Sequence, residues 1–230
     1  KAREWYLKAA EQGDLRAYFL LGLMSALGQG VTQSFEAALG WFRKGAELGD
    51  PNSQLKVGEF YGVGTGIIQD LTEAAIWYEK AAESGHAEAQ YKLGVAYSTG
   101  KGVMKVKEEA YKWFLYAGEQ GHAAAQSSVG RCFENGFGIN LDLGEAAKWY
   151  RKSAEQGYAP AQLYLANLYI SGQGVPKDHA EAVRLLTQAA EQNHVLAQLN
   201  LAAAYEEGTG VGRDYEEALR LYKLAAEQSS

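Results

Sequence analysis

A tryptophan recurs every 36 residues along this chain of 230 residues, and this period constrains the fold more than any other feature of the sequence. The series comprises Trp5, Trp41, Trp77, Trp113 and Trp149, and it continues in register as Leu185 and Leu221. All five tryptophans of the protein belong to it. A large apolar residue at a fixed long period indicates one small unit copied many times. Such units must stack, because none of them can close a core alone.

Each 36-residue unit is predicted to form two helices. In the first helix of one unit, over about 87–99, Ala89, Leu93 and Tyr97 recur with the period of one helix face. A pair of glycines then ends this helix in every unit, because glycine accepts the left-handed backbone of a helix stop. Residues suited to an N-cap precede the second helix, at Ser34, Asp70, Asp142, Asp178 and Asp214. A glutamate three residues after each aspartate predicts a capping box.

The repeats divide the chain into units of equal length with no linker between them. The predicted units are 1–14, 15–50, 51–86, 87–122, 123–158, 159–194 and 195–230. Residues 1–14 read as a lone second helix, so we expect the chain to start inside a unit and the natural protein to extend further. The unbroken period predicts an all-α chain that forms a single solenoid domain over 1–230.

Two columns of the repeat carry further structural predictions. The tryptophans and the aromatic residues beside them are expected to fill the core, so Trp77→Ala should cost about 3–5 kcal/mol of stability. A glutamate recurs six residues after each tryptophan position, from Glu11 to Glu227, near the end of the second helix. The helix macrodipole disfavours a negative charge there. We therefore expect these carboxylates to accept hydrogen bonds from a neighbouring loop or helix.

Composition excludes several classes of function. The net charge is −6 and the chain has no run of lysine or arginine, so it lacks the basic footprint of a nucleic-acid-binding protein. No apolar stretch is long enough for a membrane span. Cys132 is the single cysteine and cannot form an internal disulfide, so packing must hold the fold.

The sequence also lacks the residue patterns of catalytic, metal-binding and phosphate-binding sites. Of the four histidines, His86, His122 and His194 share one column, and His179 lies outside it. Neighbouring units are separated by about 10 Å, which is too far for two such histidines to share one metal ion. The glycine pairs resemble fragments of a phosphate loop, but no strand precedes them and no Gly-Lys-Ser/Thr follows. We predict no catalysis, no cofactor and no metal site.

Three segments carry a family resemblance: LGVAYSTGKGV, AAIWYEKAAESG and EAAKWYRKSAEQG. They resemble the Sel1-like repeat, a 36-residue relative of the tetratricopeptide repeat, and the resemblance covers the whole chain. It implies a right-handed α/α superhelix of about six antiparallel helix pairs. The last two units depart from the pattern, with Leu185 and Leu221 for tryptophan and Ala166 and Ala202 for glycine. These exchanges conserve packing.

The resemblance implies a non-catalytic scaffold or adaptor that binds a partner protein or peptide in its concave groove. The alternative is a bacterial immunity protein that binds and blocks a secreted toxin. A binder of small molecules or cell-wall fragments is a weaker third class, because an open groove is not a pocket. The repeats look bacterial, which favours a periplasmic or exported protein over a cytoplasmic one. The sequence leaves the oligomeric state open.

Candidate binding residues are those that vary from unit to unit on one face of the first helix. In the middle units this face carries Lys56, Glu59, Lys92, Arg131, Asn135, Tyr164, Asn167 and Asn200. Amides can bond a peptide backbone and arginine can grip a carboxylate, so the face is expected to suit an extended peptide that is acidic or presents its C-terminus. A plain solvated groove is the competing interpretation.

The first helix of unit 15–50 needs a separate interpretation, because it is apolar nearly all round. It carries Leu20, Leu23, Met24 and Leu27. We expect it to pack against a helix that precedes this chain in the natural protein. A protein-binding patch is the second interpretation.

Overall fold

A computed structural model describes residues 1–228, which contain thirteen α-helices and no strand. The helices are α1 (Ala2–Glu11), α2 (Leu15–Leu27), α3 (Phe35–Glu47), α4 (Pro51–Val63), α5 (Leu71–Glu83), α6 (Ala87–Thr99), α7 (Lys107–Glu119), α8 (Ala123–Asn135), α9 (Leu143–Glu155), α10 (Ala159–Ser171), α11 (His179–Glu191), α12 (Val195–Glu207) and α13 (Tyr215–Glu227). The even-numbered helices are the first helices of the repeats and the odd-numbered helices are the second. The predicted all-α repeat fold is confirmed.

The helices are grouped into two compact units, Lys1–Ala117 and Gly118–Ser230. In the first unit, consecutive helices in the series α1 to α6 pack on one another, and α2 also touches α4. In the second unit, consecutive helices in the series α8 to α13 pack on one another. Contacts between consecutive helices therefore dominate each unit, as in other repeat proteins.

The predicted N-caps of the second helices form as expected. The Asp178 carboxylate accepts from the backbone N–H of Glu181 at 3.0 Å, and Ser34 and the other aspartates cap their helices in the same way. The predicted capping box forms only in part. The backbone N–H of Asp178 donates to the Tyr169 carbonyl in the preceding helix, and Glu181 pairs with Arg184. The loop-closing hydrogen bond occupies the group that a capping box would use.

The three histidines that share a column have a structural role as N-caps. His86, His122 and His194 each precede a first helix, and their Nδ1 atoms accept from backbone N–H groups at 3.1–3.4 Å. Aspartates take the same position as caps of α2 and α4, at Asp14 and Asp50. These histidines therefore provide hydrogen-bond acceptors for N–H groups in the first turn of a helix, which lack partners within the helix.

The tryptophans differ in burial, and Trp149 is less deeply buried than Tyr150, the residue that follows it. Trp77 is half-buried and the Lys80 ammonium lies 3.9 Å from its ring centroid. Lys152 covers Trp149 in the same way at 4.0 Å. By contrast, Tyr150 is fully buried. Two adjacent helical residues point about 100° apart, so only one of them can face the centre of the core. Trp77 packs against the core cluster around Phe42 but is only partly buried, and the cost of about 3–5 kcal/mol expected for Trp77→Ala stays a prediction.

Glycine in the first helix makes room for this deep aromatic residue. A Cβ on Gly130 would lie 2.6 Å from a carbon of the Tyr150 ring, closer than two unbonded carbons can approach. Gly22, Gly58 and Gly94 meet an aromatic ring in the same way. Where Leu186 replaces the aromatic residue, the first helix carries Ala166 instead of glycine.

Three of the recurring glutamates, Glu47, Glu155 and Glu191, do not make the predicted tertiary hydrogen bonds. The Glu47, Glu155 and Glu191 side chains are exposed and accept no hydrogen bond from residues 1–228. The residue next in sequence makes that bond in the second unit: Gln192 donates to Oε1 of Gln162 at 3.0 Å. Glutamate stays solvated, whereas its neutral neighbour can donate to the buried amide oxygen of Gln162.

Candidate functional site

In the first compact unit, the candidate residues form a network of ion pairs. The Lys56 ammonium lies 2.8 Å from the Glu59 carboxylate, and Lys92 lies 3.4 Å from the same carboxylate and 3.2 Å from Glu88. All four side chains are part-exposed. The two lysines are therefore neutralised by carboxylates of their own face. They do not supply the free positive charge that the sequence predicts for an acidic ligand.

A groove of about 360 Å³ lies beside this network, and its floor is largely apolar. Leu23 and Phe60 line it together with Tyr78. Burial, with the negative charges of Glu59 and Glu88, raises the pKa of Tyr78 to about 12, so its phenol stays protonated. Leu23 packs against the Phe42 cluster of this unit. This contact lies within the chain, so the expected packing of α2 on a preceding helix and the alternative of a protein-binding patch both stay predictions.

In the second compact unit, Arg131 and Tyr164 contact each other across two first helices. The Arg131 guanidinium lies 5.8 Å from the centroid of the Tyr164 ring. That ring in turn lies 5.3 Å from the ring of the buried Tyr150. The Tyr150 hydroxyl donates to Glu134 at 2.6 Å, and burial together with this hydrogen bond raises the pKa of Tyr150 above its usual range. Arg131 thus rests on an aromatic stack that the core holds in place.

Asn167 and Asn200 form a second pair on the same face. The Asn200 Nδ2 donates to Asn167 Oδ1 at 3.2 Å, between α10 and α12. Asn167 Nδ2 and Asn200 Oδ1 have no partner among residues 1–228. The pair therefore offers one donor and one acceptor to a ligand. Asn135 does not join either pair, because its amide donates to the Arg131 backbone carbonyl of its own helix.

The asparagine pair lies at the rim of a groove of about 310 Å³ in the second unit. Ile170, Val183, Leu186 and Ala203 line its apolar part. Its polar lining consists of Asn167, Asn200, His179, Glu207 and Thr209. This volume is at the lower end for ligand clefts, and an apolar lining with a few polar groups is typical of them.

The sequence prediction missed the part of this groove that comes from the second helix. Val183 and Leu186 belong to α11, whereas the candidate residues predicted from the sequence all belong to first helices. Glu207 lies on the same first helix as the candidate Asn200 but was not among the predicted residues. The sequence could have indicated Glu207, because its equivalents in the two preceding repeats are the uncharged residues Ser171 and Asn135. The use of any of these residues in binding stays a prediction.

The described part of the chain also lacks two other kinds of site. No helix among residues 1–228 combines the length and the apolar character that crossing a bilayer requires. Within the same residues, no three histidine, cysteine, aspartate or glutamate side chains come close enough to hold a metal ion.

Comparison with known proteins identifies the repeat. The family model described as Sel1 repeat matches the entire chain, over 1–14, 15–50, 51–86, 87–122, 123–158, 159–194 and 195–230. No curated protein sequence matches at a significant level.

Solved structures from bacteria show the same fold. The chain is 37% identical to c5321, a protective antigen of uropathogenic Escherichia coli with an SLR fold, at a TM-score of 0.93. The match covers 99% of this chain and 49% of c5321, so the chain spans about half the length of that protein. A Sel1 repeat protein from Oxalobacter formigenes is 29% identical at a TM-score of 0.86, with 97% and 96% of the two chains covered.

A more distant similarity concerns an immunity protein. Pa5087 from Pseudomonas aeruginosa is 24% identical at a TM-score of 0.51, and 82% of this chain and 72% of that chain are covered. At this identity the similarity shows the fold alone, so the immunity alternative stays a prediction. The bacterial sources of these structures fit a bacterial origin for the chain. The repeat match over the full length, with the close similarity to c5321, shows that the chain belongs to the Sel1 repeat family.

Proposed function

We propose that this chain is a non-catalytic scaffold that binds an extended segment of a partner protein along the first helices of its second compact unit. Sel1 repeat proteins are generally scaffolds for protein interactions, which sets the class of function. The observation that carries the proposal is the Asn167–Asn200 pair, whose free donor and acceptor lie at the rim of an apolar groove.

A peptide segment matches this arrangement in two respects. Every peptide group has one N–H donor and one C=O acceptor, and in an extended segment these groups are not used internally. The asparagine pair offers the complementary acceptor and donor. Successive side chains of an extended segment point to opposite sides, so one apolar side chain can enter the groove while the backbone bonds to the rim.

A peptide selection tests the proposal. A random peptide library is displayed against the immobilised protein, and the dissociation constants of the selected peptides are measured by fluorescence anisotropy. The double variant Asn167→Ala, Asn200→Ala should weaken binding about 5- to 150-fold, because two hydrogen bonds are worth about 1–3 kcal/mol together. Its melting temperature should change little, since both side chains lie at the rim.

Asn140→Ala serves as the matched control. Asn140 is exposed in the loop before α9, outside the groove. This variant should bind the selected peptides as the wild-type protein does. The proposal fails if the library yields no binder, or if every selected peptide binds the Asn167, Asn200 double variant as tightly as the wild-type protein.

A further inference from the structure

We infer that the bound segment has a fixed charge order: a carboxylate at Arg131, an apolar side chain in the groove, and a basic side chain at Glu207. This inference rests on the proposed function and names the class of peptide. It follows from three features of the second unit: an unpaired cation, an unpaired carboxylate, and the asparagine pair between them.

Arg131 is the unpaired cation. Its side chain is exposed, and no carboxylate among residues 1–228 lies within ion-pairing distance of the guanidinium. Glu134, one turn further along α8, accepts the hydroxyl of Tyr150 instead. Because Tyr164 lies under the guanidinium, Arg131 loses little freedom when it meets a ligand. An arginine with this access can hold a carboxylate through two parallel hydrogen bonds.

Glu207 is the unpaired carboxylate. It is exposed at the last position of α12, and within the described chain it accepts only a 3.4 Å hydrogen bond from the Thr209 hydroxyl. Two other glutamates of this unit are paired with arginine, Glu181 with Arg184 and Glu217 with Arg220. The C-terminus of a helix also carries a partial negative charge, which adds to that of Glu207. This end of the groove therefore favours a cation.

The two charges lie on the same face and on alternate helices. Arg131 on α8 contacts Tyr164 on α10, and Asn167, one turn further along α10, contacts Asn200 on α12. Neighbouring repeats are about 10 Å apart, so α8 and α12, which are two repeats apart, are separated by about 20 Å. An extended chain covers this distance in about six residues, at about 3.3 Å per residue. We therefore expect about six residues between the acidic and the basic side chain.

Opposite charges at the two ends also determine orientation. A segment bound in reverse would place its basic side chain at Arg131 and its acidic side chain at Glu207. Like charges brought together in this way are repelled, which discriminates against the reversed orientation. Charge order, more than net charge, should then decide which peptides bind.

Charge reversal tests the inference on the peptides selected with the wild-type protein. These peptides should carry an acidic and a basic residue separated by about six positions. Arg131→Glu should weaken their binding at least tenfold, and changing the acidic residue of the peptide to lysine should restore it. Glu207→Lys should have the corresponding effect, restored by changing the basic residue of the peptide to glutamate. A library selected anew on Arg131→Glu should yield peptides with two basic ends.

Two charge reversals outside the groove are matched controls. Lys177→Glu and Glu191→Lys change the same charges at exposed positions of the same unit. Both should leave peptide binding within about twofold of the wild-type value at physiological salt, where distant exposed charges are screened. Equal losses from these controls would show a nonspecific effect of net charge and overturn the inference.

The results separate this inference from the proposed function. Peptides that need Asn167 and Asn200 but tolerate both Arg131→Glu and Glu207→Lys would overturn the charge order and keep the proposed function. Peptides with charges of one sign at both ends would do the same. Loss of all dependence on the asparagine pair would overturn both.

Discussion

The side-chain amide of Gln192, at the end of α11, donates a 3.0 Å hydrogen bond to Oε1 of Gln162 on α10, thirty residues earlier in the same repeat. Gln162 is buried, and its own amide donates to the Ala154 carbonyl at 3.3 Å. Both ends of the buried amide are thereby satisfied, as buried polar groups require. The same bond recurs from Gln156 to Gln126 and from Gln228 to Gln198.

Gln54 lacks this partner, and Ser84→Gln should supply it. Residue 84 occupies the donor position thirty residues after Gln54, but its short hydroxyl bonds to Lys80 in its own helix. Oε1 of Gln54 is buried without a partner. A glutamine at residue 84 should reach it and stabilise the protein by about 1 kcal/mol, which urea unfolding followed by circular dichroism can measure.

The reverse change provides the control. Gln192→Ser should leave Oε1 of Gln162 without its donor and destabilise the protein by about 1–3 kcal/mol, the penalty for an unsatisfied buried group. If Gln192→Ser has no effect on the urea midpoint, these glutamine bonds add nothing to stability.

Two helical glycines should respond to alanine in opposite directions. Gly40 lies in α3, and a Cβ built there meets no atom within 4 Å. Gly40→Ala should therefore stabilise the protein by up to about 1 kcal/mol, because alanine restricts the unfolded chain and favours the helix. Gly130→Ala should destabilise it by about 1–3 kcal/mol, since the new methyl group collides with the Tyr150 ring.

Thermal unfolding of these two variants separates packing from helix propensity. Propensity alone predicts a higher melting temperature for both. If Gly130→Ala raises the melting temperature as Gly40→Ala does, the Tyr150 ring moves aside freely and the glycine is not required for its packing.

Val106→Asp should repair an incomplete helix start. Val106 precedes α7 where Asp70 precedes α5, and both backbone N–H groups donate to a tyrosine carbonyl of the preceding helix. The backbone is thus arranged alike, but a valine side chain cannot accept a hydrogen bond. An aspartate should stabilise the protein by about 1 kcal/mol.

Met104→Asp is the control for this added charge. Met104 is an exposed loop residue two positions before Val106. The Met104→Asp variant introduces the same charge at a residue that does not cap a helix, so its urea midpoint should stay close to the wild-type value. Equal midpoints for the two variants would mean that charge, not capping, determines the effect.

The repeat period was sufficient to predict most of the fold. Equal spacing of the tryptophans and glycine pairs predicted two helices per unit, and the chemistry of Asp178 and its equivalents placed the start of each second helix. These features are local, since a cap or a helix stop depends on a few adjacent residues.

The contacts between helices could not be read from the sequence in the same way. Tryptophan and the aromatic residue after it recur with one period, so the period does not tell which of them faces the core. The buried glutamines recur as well, but their partners lie thirty residues away on another helix. For the candidate site, sequence variation identified Arg131 and Asn167, whereas the groove beside them depends on how α10, α11 and α12 pack.

Cys132 should remain unreactive until the protein unfolds. Its side chain is buried, and burial raises the pKa of the thiol from 9.0 to about 12. The thiolate is the reactive form, so at pH 8 its population falls about a thousandfold in the folded protein, apart from any steric protection. The raised pKa stabilises the folded state fully below pH 9 and progressively less as the pH rises from 9 towards 12.

Labelling with a chromogenic disulfide reagent in increasing urea tests the protection of Cys132, and its rate should follow the unfolding of the second unit. Rapid labelling in the absence of urea, with an unchanged circular dichroism spectrum, would contradict the burial of Cys132.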